Sequence, residues 1–184
     1  MPDSKDPQEF DSGEQGQSEQ EEIYLKKESI AEALSLGFLS HDNPSPRNRY
    51  TSLEQLILFE FDGVDNPDIK NELTEIKREV ISISNSIDYL EYDMYDRDDI
   101  DEKAINIKIA KYVIRGYVTD DNISDIVGTT SLEQIIYFKY GPIGSKKFSE
   151  VKREIMSQQL NLRGGSVMSK YENMNDDYKE VRRI

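Results

Sequence analysis

The chain has no cysteine, no tryptophan and a single histidine in 184 residues. Without cysteine there is no disulfide framework, no thiolate zinc or iron–sulfur site and no thiol nucleophile. One histidine, His41, excludes a multi-histidine metal centre and leaves a serine triad only one possible base. No apolar run approaches the roughly 18–20 residues that cross a bilayer. The opening stretch, MPDSKDPQEF, is acidic and polar, unlike a secretory leader. These absences predict a soluble, cytoplasmic protein with no membrane span, no cofactor and no metal.

The charge is abundant but uneven. The chain carries 37 acids against 23 bases, a net charge of −14. Residues 1–22 hold eight acids and Lys5, and residues 86–102 hold eight more against Arg97. Each segment is therefore −7, and the remainder balances. The acidity belongs to two segments rather than to the whole surface, so it does not by itself repel nucleic acid from the rest. Residues 1–22 offer only Phe10 to a core, and burial this sparse does not offset the entropy of ordering. A disordered acidic tail is the expectation there.

The strongest pattern is an internal repeat. Residues 30–62 align with 109–141 at a constant offset of 79, with thirteen of 33 positions identical. Thr51-Ser-Leu-Glu-Gln55 recurs as Thr130-Ser-Leu-Glu-Gln134, and Glu75-Ile-Lys-Arg-Glu-Val80 returns as Glu150-Val-Lys-Arg-Glu-Ile155. A tandem duplication of a small three-helix unit follows.

Each unit opens with a helix, over about 23–36 and 103–115, closed by Gly37 or Gly116. In the second unit a short helix over Asn122–Val127 is expected to stop at Gly128; two prolines loosen the matching stretch of the first unit. Thr-Ser-Leu-Glu is a capping box, and the helix it opens has apolar residues at i, i+3, i+4 spacing. Asn66 and Ser145 are expected to cap the third helices.

The third helix of the first unit carries Ile69, Leu73, Ile76, Val80, Ile83, Ile87, Leu90 and Met94, spaced alternately by four and three. That is a heptad seam, and it predicts a long coiled-coil-like helix and a homodimer. Its counterpart is shorter, has Gln158 in the seam and is expected to stop before Gly164-Gly165. The organisation expected is therefore an acidic tail over 1–22, a first unit with its heptad helix over 23–95, and an acidic linker over 96–102. A second unit over 103–163 and a mobile tail over 164–184 complete it. The fold class is all-α.

Catalytic and metal motifs are weak. His41 is matched by Asp120, so the duplicated scaffold does not depend on it. The acid run from Asp93 to Glu102 lacks the glycine and the terminal glutamate of a calcium loop. The reading favoured is a non-catalytic interaction or adaptor protein whose partner is another protein, one with a basic surface suiting the acidic segments. The alternative is a DNA-binding regulator with two helix-turn-helix-like units and a coiled-coil dimerisation helix. Its phosphate contacts would come from Arg47, Arg49, Lys139, Lys146, Lys147, Lys152 and Arg153. The would-be recognition helices argue against it, because they carry Glu54, Glu60 and Glu133 against one base, Lys139.

Overall fold

A computed structural model describes the backbone of residues 8–88 and 100–171, with side chains over 16–88 and 100–164. Among these residues the chain forms six helices and no strand: α1 (Gln8–Ser35), α2 (Ser52–Glu60), α3 (Asp68–Ser86), α4 (Glu102–Ile114), α5 (Ser131–Tyr140) and α6 (Ser145–Tyr171).

The local signals act as their chemistry dictates. Thr51 accepts from the Glu54 N–H, and the Glu54 side chain reaches back to the Thr51 N–H; Thr130 and Glu133 do the same. Both capping boxes satisfy main-chain donors that the first helical turn leaves free. Gly37 and Gly116 take φ of 77° and 81°, the left-handed geometry that ends α1 and α4. From 30 to 60 the succession of helix end, bend, turn and helix recurs residue for residue over 109–139. One position differs in cost: Gly128 adopts φ 81°, whereas its counterpart is Arg49, at φ 66°.

The helices close over one continuous apolar core. In the first unit it holds Ile30, Leu53, Leu56, Ile57 and Val80, and in the second Ile109, Leu132, Ile135, Ile136 and Ile155. Each fully buried aliphatic side chain contributes about 1.5–3 kcal/mol. Tyr112 sets its ring edge-on to Phe59, with centroids 5.0 Å apart, and so knits α4 to α2.

Several boundaries differ from the sequence expectation. Helix α1 starts at Gln8 rather than near residue 23, so its range takes in residues 8–22. Glutamine and glutamate favour a helix, and no proline follows Pro7 in that stretch. Residues 16–25 are exposed throughout, so this part of α1 extends past the core. Helix α3 starts at Asp68 with Pro67 as a cap that has no side-chain bond, in place of Asn66.

The long heptad helix is shorter than its pattern. Helix α3 ends at Ser86, and Ile87 is extended at ψ 130°. Ser82, Ser84 and Ser86 crowd this end, and the Ser86 hydroxyl donates to the Ile83 main-chain oxygen. Such side-chain bonds compete with the helical ladder. Leu90 and Met94 lie outside the described residues.

Two further expectations are corrected. No helix forms over 122–127, because Ser124 accepts from the Ile126 and Val127 N–H groups and holds a tight turn. Helix α6 runs through Gly164-Gly165 to Tyr171, absorbing a cost of about 1 kcal/mol per glycine.

Candidate functional site

Polar residues that the sequence repeats at offset 79 meet one another inside the molecule. The Asn43 amide donates to the Asn122 main-chain oxygen at 2.7 Å, and Asn122 donates back to the Asn43 oxygen at 2.9 Å. The Ser45 hydroxyl donates to Asp121 at 2.8 Å, and the Ser124 hydroxyl to Asp42 at 2.7 Å. The Ser40 N–H donates to Gln134 and the Thr119 N–H to Gln55, both at 2.9 Å. Ser52 and Ser131 join hydroxyl to hydroxyl at 3.0 Å. Each bond has a counterpart with the two units exchanged.

This face is buried: Asn43, Ser45, Ser52, Gln55, Asn122, Ser124, Ser131 and Gln134 are each at most 6% exposed. Buried amides and hydroxyls are tolerable only when bonded, and these are. Among the buried side-chain nitrogens and oxygens of the described residues, Thr129 Oγ1 alone lacks a partner. The hydrogen bond from Ser124 is the main reason that the Asp42 carboxyl stays below the usual carboxylate range. Burial pushes the Tyr112 and Tyr140 hydroxyls up to about 12, with Glu102 adding to the effect at Tyr140.

The heptad residues divide into three groups. Ile69, Leu73, Ile76 and Val80 are buried within their own chain, where α3 packs on α1 and α2. Lys27 pairs with Glu79, and the Ser35 hydroxyl donates to the Ser84 main-chain oxygen at 2.9 Å, pinning α1 along α3. Ile83 and Ile87 are half-buried at the rim. Leu90 and Met94 fall outside the described residues.

Four of the seven cations proposed for DNA contact pair with acids of the chain. Lys139 lies against Glu60 at 2.9 Å, Lys147 against Glu102 at 3.1 Å, and Arg47 against Asp121 at 3.6 Å. Lys152 sits between Asp120 and Glu133. Arg49, Lys146 and Arg153 are exposed. Neither α2 nor α5, the would-be recognition helices, has an exposed residue. His41 is exposed at the bend after α1.

Apolar side chains that sequence reading did not single out face the solvent. On α1, Ile23, Tyr24 and Leu25 are 42%, 53% and 59% exposed. Ile23 and Tyr24 border an open groove of about 450 Å³ between α1 and α3, lined also by Gln20, Lys27, Glu79, Ser82 and Ile83, and Leu25 lies outside that lining. Their only advance signal was an apolar triplet directly after the acids Glu19, Glu21 and Glu22. In the second unit Ile123 and Ile126 are also exposed.

Among the described residues no group of three metal-ligating side chains converges, and no helix is long and apolar enough to cross a membrane. Comparison with known proteins finds no matching family model, no matching curated protein and no matching solved structure.

Proposed function

We propose that the protein is a non-catalytic, cytoplasmic interaction module. Two duplicated helical units form a platform that presents the α1–α3 groove to another protein. The observation that carries this reading is the exposed pair Ile23 and Tyr24 lining the groove with Ile83, with exposed Leu25 next to them on α1. Apolar side chains left grouped in water mark interaction sites. The exposed stretch 16–25 has three acids and no base, so the complementary surface is cationic as well as apolar.

A homodimer has a smaller basis than the heptad pattern promised. Half of the seam is spent inside the chain, and Ile83 and Ile87 are what the described residues leave near a second copy. The basic partner is therefore preferred. DNA binding draws support only from Arg49, Lys146 and Arg153, since α2 and α5 have no free face.

The test is capture from native cell extract by tagged full-length protein, with and without nuclease, beside an Ile23→Ser/Tyr24→Ser/Leu25→Ser variant. The wild type should retain a protein that survives nuclease and is released by raised salt. The variant should retain none while keeping its helical circular dichroism. Capture abolished by nuclease would favour nucleic acid, and equal capture by the variant would remove the groove from the proposal.

A further inference from the structure

The bonds between the two units have the form of an isologous contact, in which the same patch on each side meets itself. On such a surface, a residue that touches its own repeat counterpart marks the axis. Asn43 with Asn122 and Ser52 with Ser131 are two such pairs, each of one residue type. A third is Glu60 with Lys139, also 79 apart, where the Lys139 ammonium donates to the Glu60 carboxylate at 2.9 Å. Here the two copies differ, and they differ in the sign of charge. Their side chains are 12% and 26% exposed, so solvent screens them less than a surface pair.

We infer that the inner face of each unit is a docking surface for the opposite unit, and that Glu60 and Lys139 make it selective. Unit one takes unit two, on the same chain or on a separate one, and neither takes itself. A pair of first units would set Glu60 against Glu60, and a pair of second units Lys139 against Lys139. Like charges facing each other across a contact are strongly unfavourable and exclude wrong partners. The same sign logic recurs away from the axis. Lys111 lies 3.6 Å from Asp65, whereas the counterpart of Lys111 in the first unit is Glu32. Shape agrees with charge, because Tyr112, which packs on Phe59, corresponds to Ala33. The uncharged remainder of the face, from Ser40 and Thr119 to Gln55 and Gln134, is common to both units and supplies adhesion rather than choice.

The test cuts the folded full-length chain once. A site-specific protease sequence is inserted between Asp93 and Met94, in the stretch joining the units, and the purified protein is cleaved. Size exclusion with light scattering should show both fragments in one particle near the 21.3 kDa of the intact chain. In the cleaved protein Glu60→Lys and Lys139→Glu should each weaken the pairing by roughly tenfold or more. The exchanged double variant, Glu60→Lys with Lys139→Glu, should pair within about threefold of wild type, a small fraction of the single-variant loss. Circular dichroism of the uncut variants separates lost docking from lost folding. Wild-type fragments that part as readily as those of the single variants would overturn the inference. So would a double variant no tighter than either single one.

Discussion

Asn43 and Asn122 exchange hydrogen bonds, each side-chain amide donating to the other's main-chain oxygen. Each asparagine also donates to a serine of its own unit, Asn43 to Ser52 at 2.8 Å and Asn122 to Ser131 at 2.6 Å. Each accepts from the main-chain N–H of that same serine at 3.1 Å. Both residues are buried, so every partner they lose is left dry.

Replacing Asn43 by alanine should therefore cost roughly 2–4 kcal/mol, the loss of several bonds plus unsatisfied buried groups. Asn122→Ala should cost a similar amount, because its bonds mirror those of Asn43. The double variant should lose less than the sum, since the two share partners. Urea denaturation followed by circular dichroism measures all three; strictly additive losses would contradict a single shared network.

Arg49 is a left-handed residue where the second unit has glycine. Arg49→Gly should raise stability by about 1 kcal/mol, the cost of holding a side chain at positive φ. Gly128→Arg should lower it by a similar amount. Thermal melts of the two variants read opposite signs if the backbone geometry at both positions is as described.

Stability should fall at alkaline pH. Tyr112 and Tyr140 have hydroxyls pushed up to about 12 in the folded chain, against an ordinary value of 10.0. A proton held more tightly when folded stabilises the fold fully below pH 10, and that contribution is lost as pH rises from 10 to 12. A Tyr140→Phe variant should show a shallower loss over that interval. Urea midpoints measured across pH 9–12 give the slope.

The third helices should tolerate substitution according to burial rather than heptad position. Ile155, fully buried in α6, should cost about 2–5 kcal/mol when cut to alanine. Leu160 is 71% exposed on the same helix, and Leu160→Ala should change stability by no more than about 0.5 kcal/mol. Equal losses at the two positions would mean that α6 is covered by something more than its own chain.

Much of the helical architecture was legible because its signals are short-range. A capping box, a glycine at a left-handed position and an i, i+3, i+4 stripe each act within a few residues, so Thr51, Gly37 and the α2 core positions read correctly in isolation. The same locality misled at the ends of α3. The heptad pattern continues past Ser86, but a seam is only a period, and the period does not register the serines that draw the backbone out of the helix. The candidate interaction surface was the least legible part, since exposure of Ile23 depends on where α1 outruns the core.

The amino-acid order by itself determined the helical class, the offset of 79, the capped starts of α2 and α5 and the two acidic segments. The tertiary structure decided what the repeated polar residues are for. Asn43, Ser52 and Gln55 could equally have been surface residues, because a polar side chain satisfies its bonds with water or with protein at similar free energy. Only when the two units meet do Asn43 and Ser52 find their counterparts 79 residues away and Gln55 find Thr119, and then leaving them unpaired becomes costly. The same holds for Glu60 and Lys139, whose opposite charges acquire meaning from a contact that no local stretch of sequence contains.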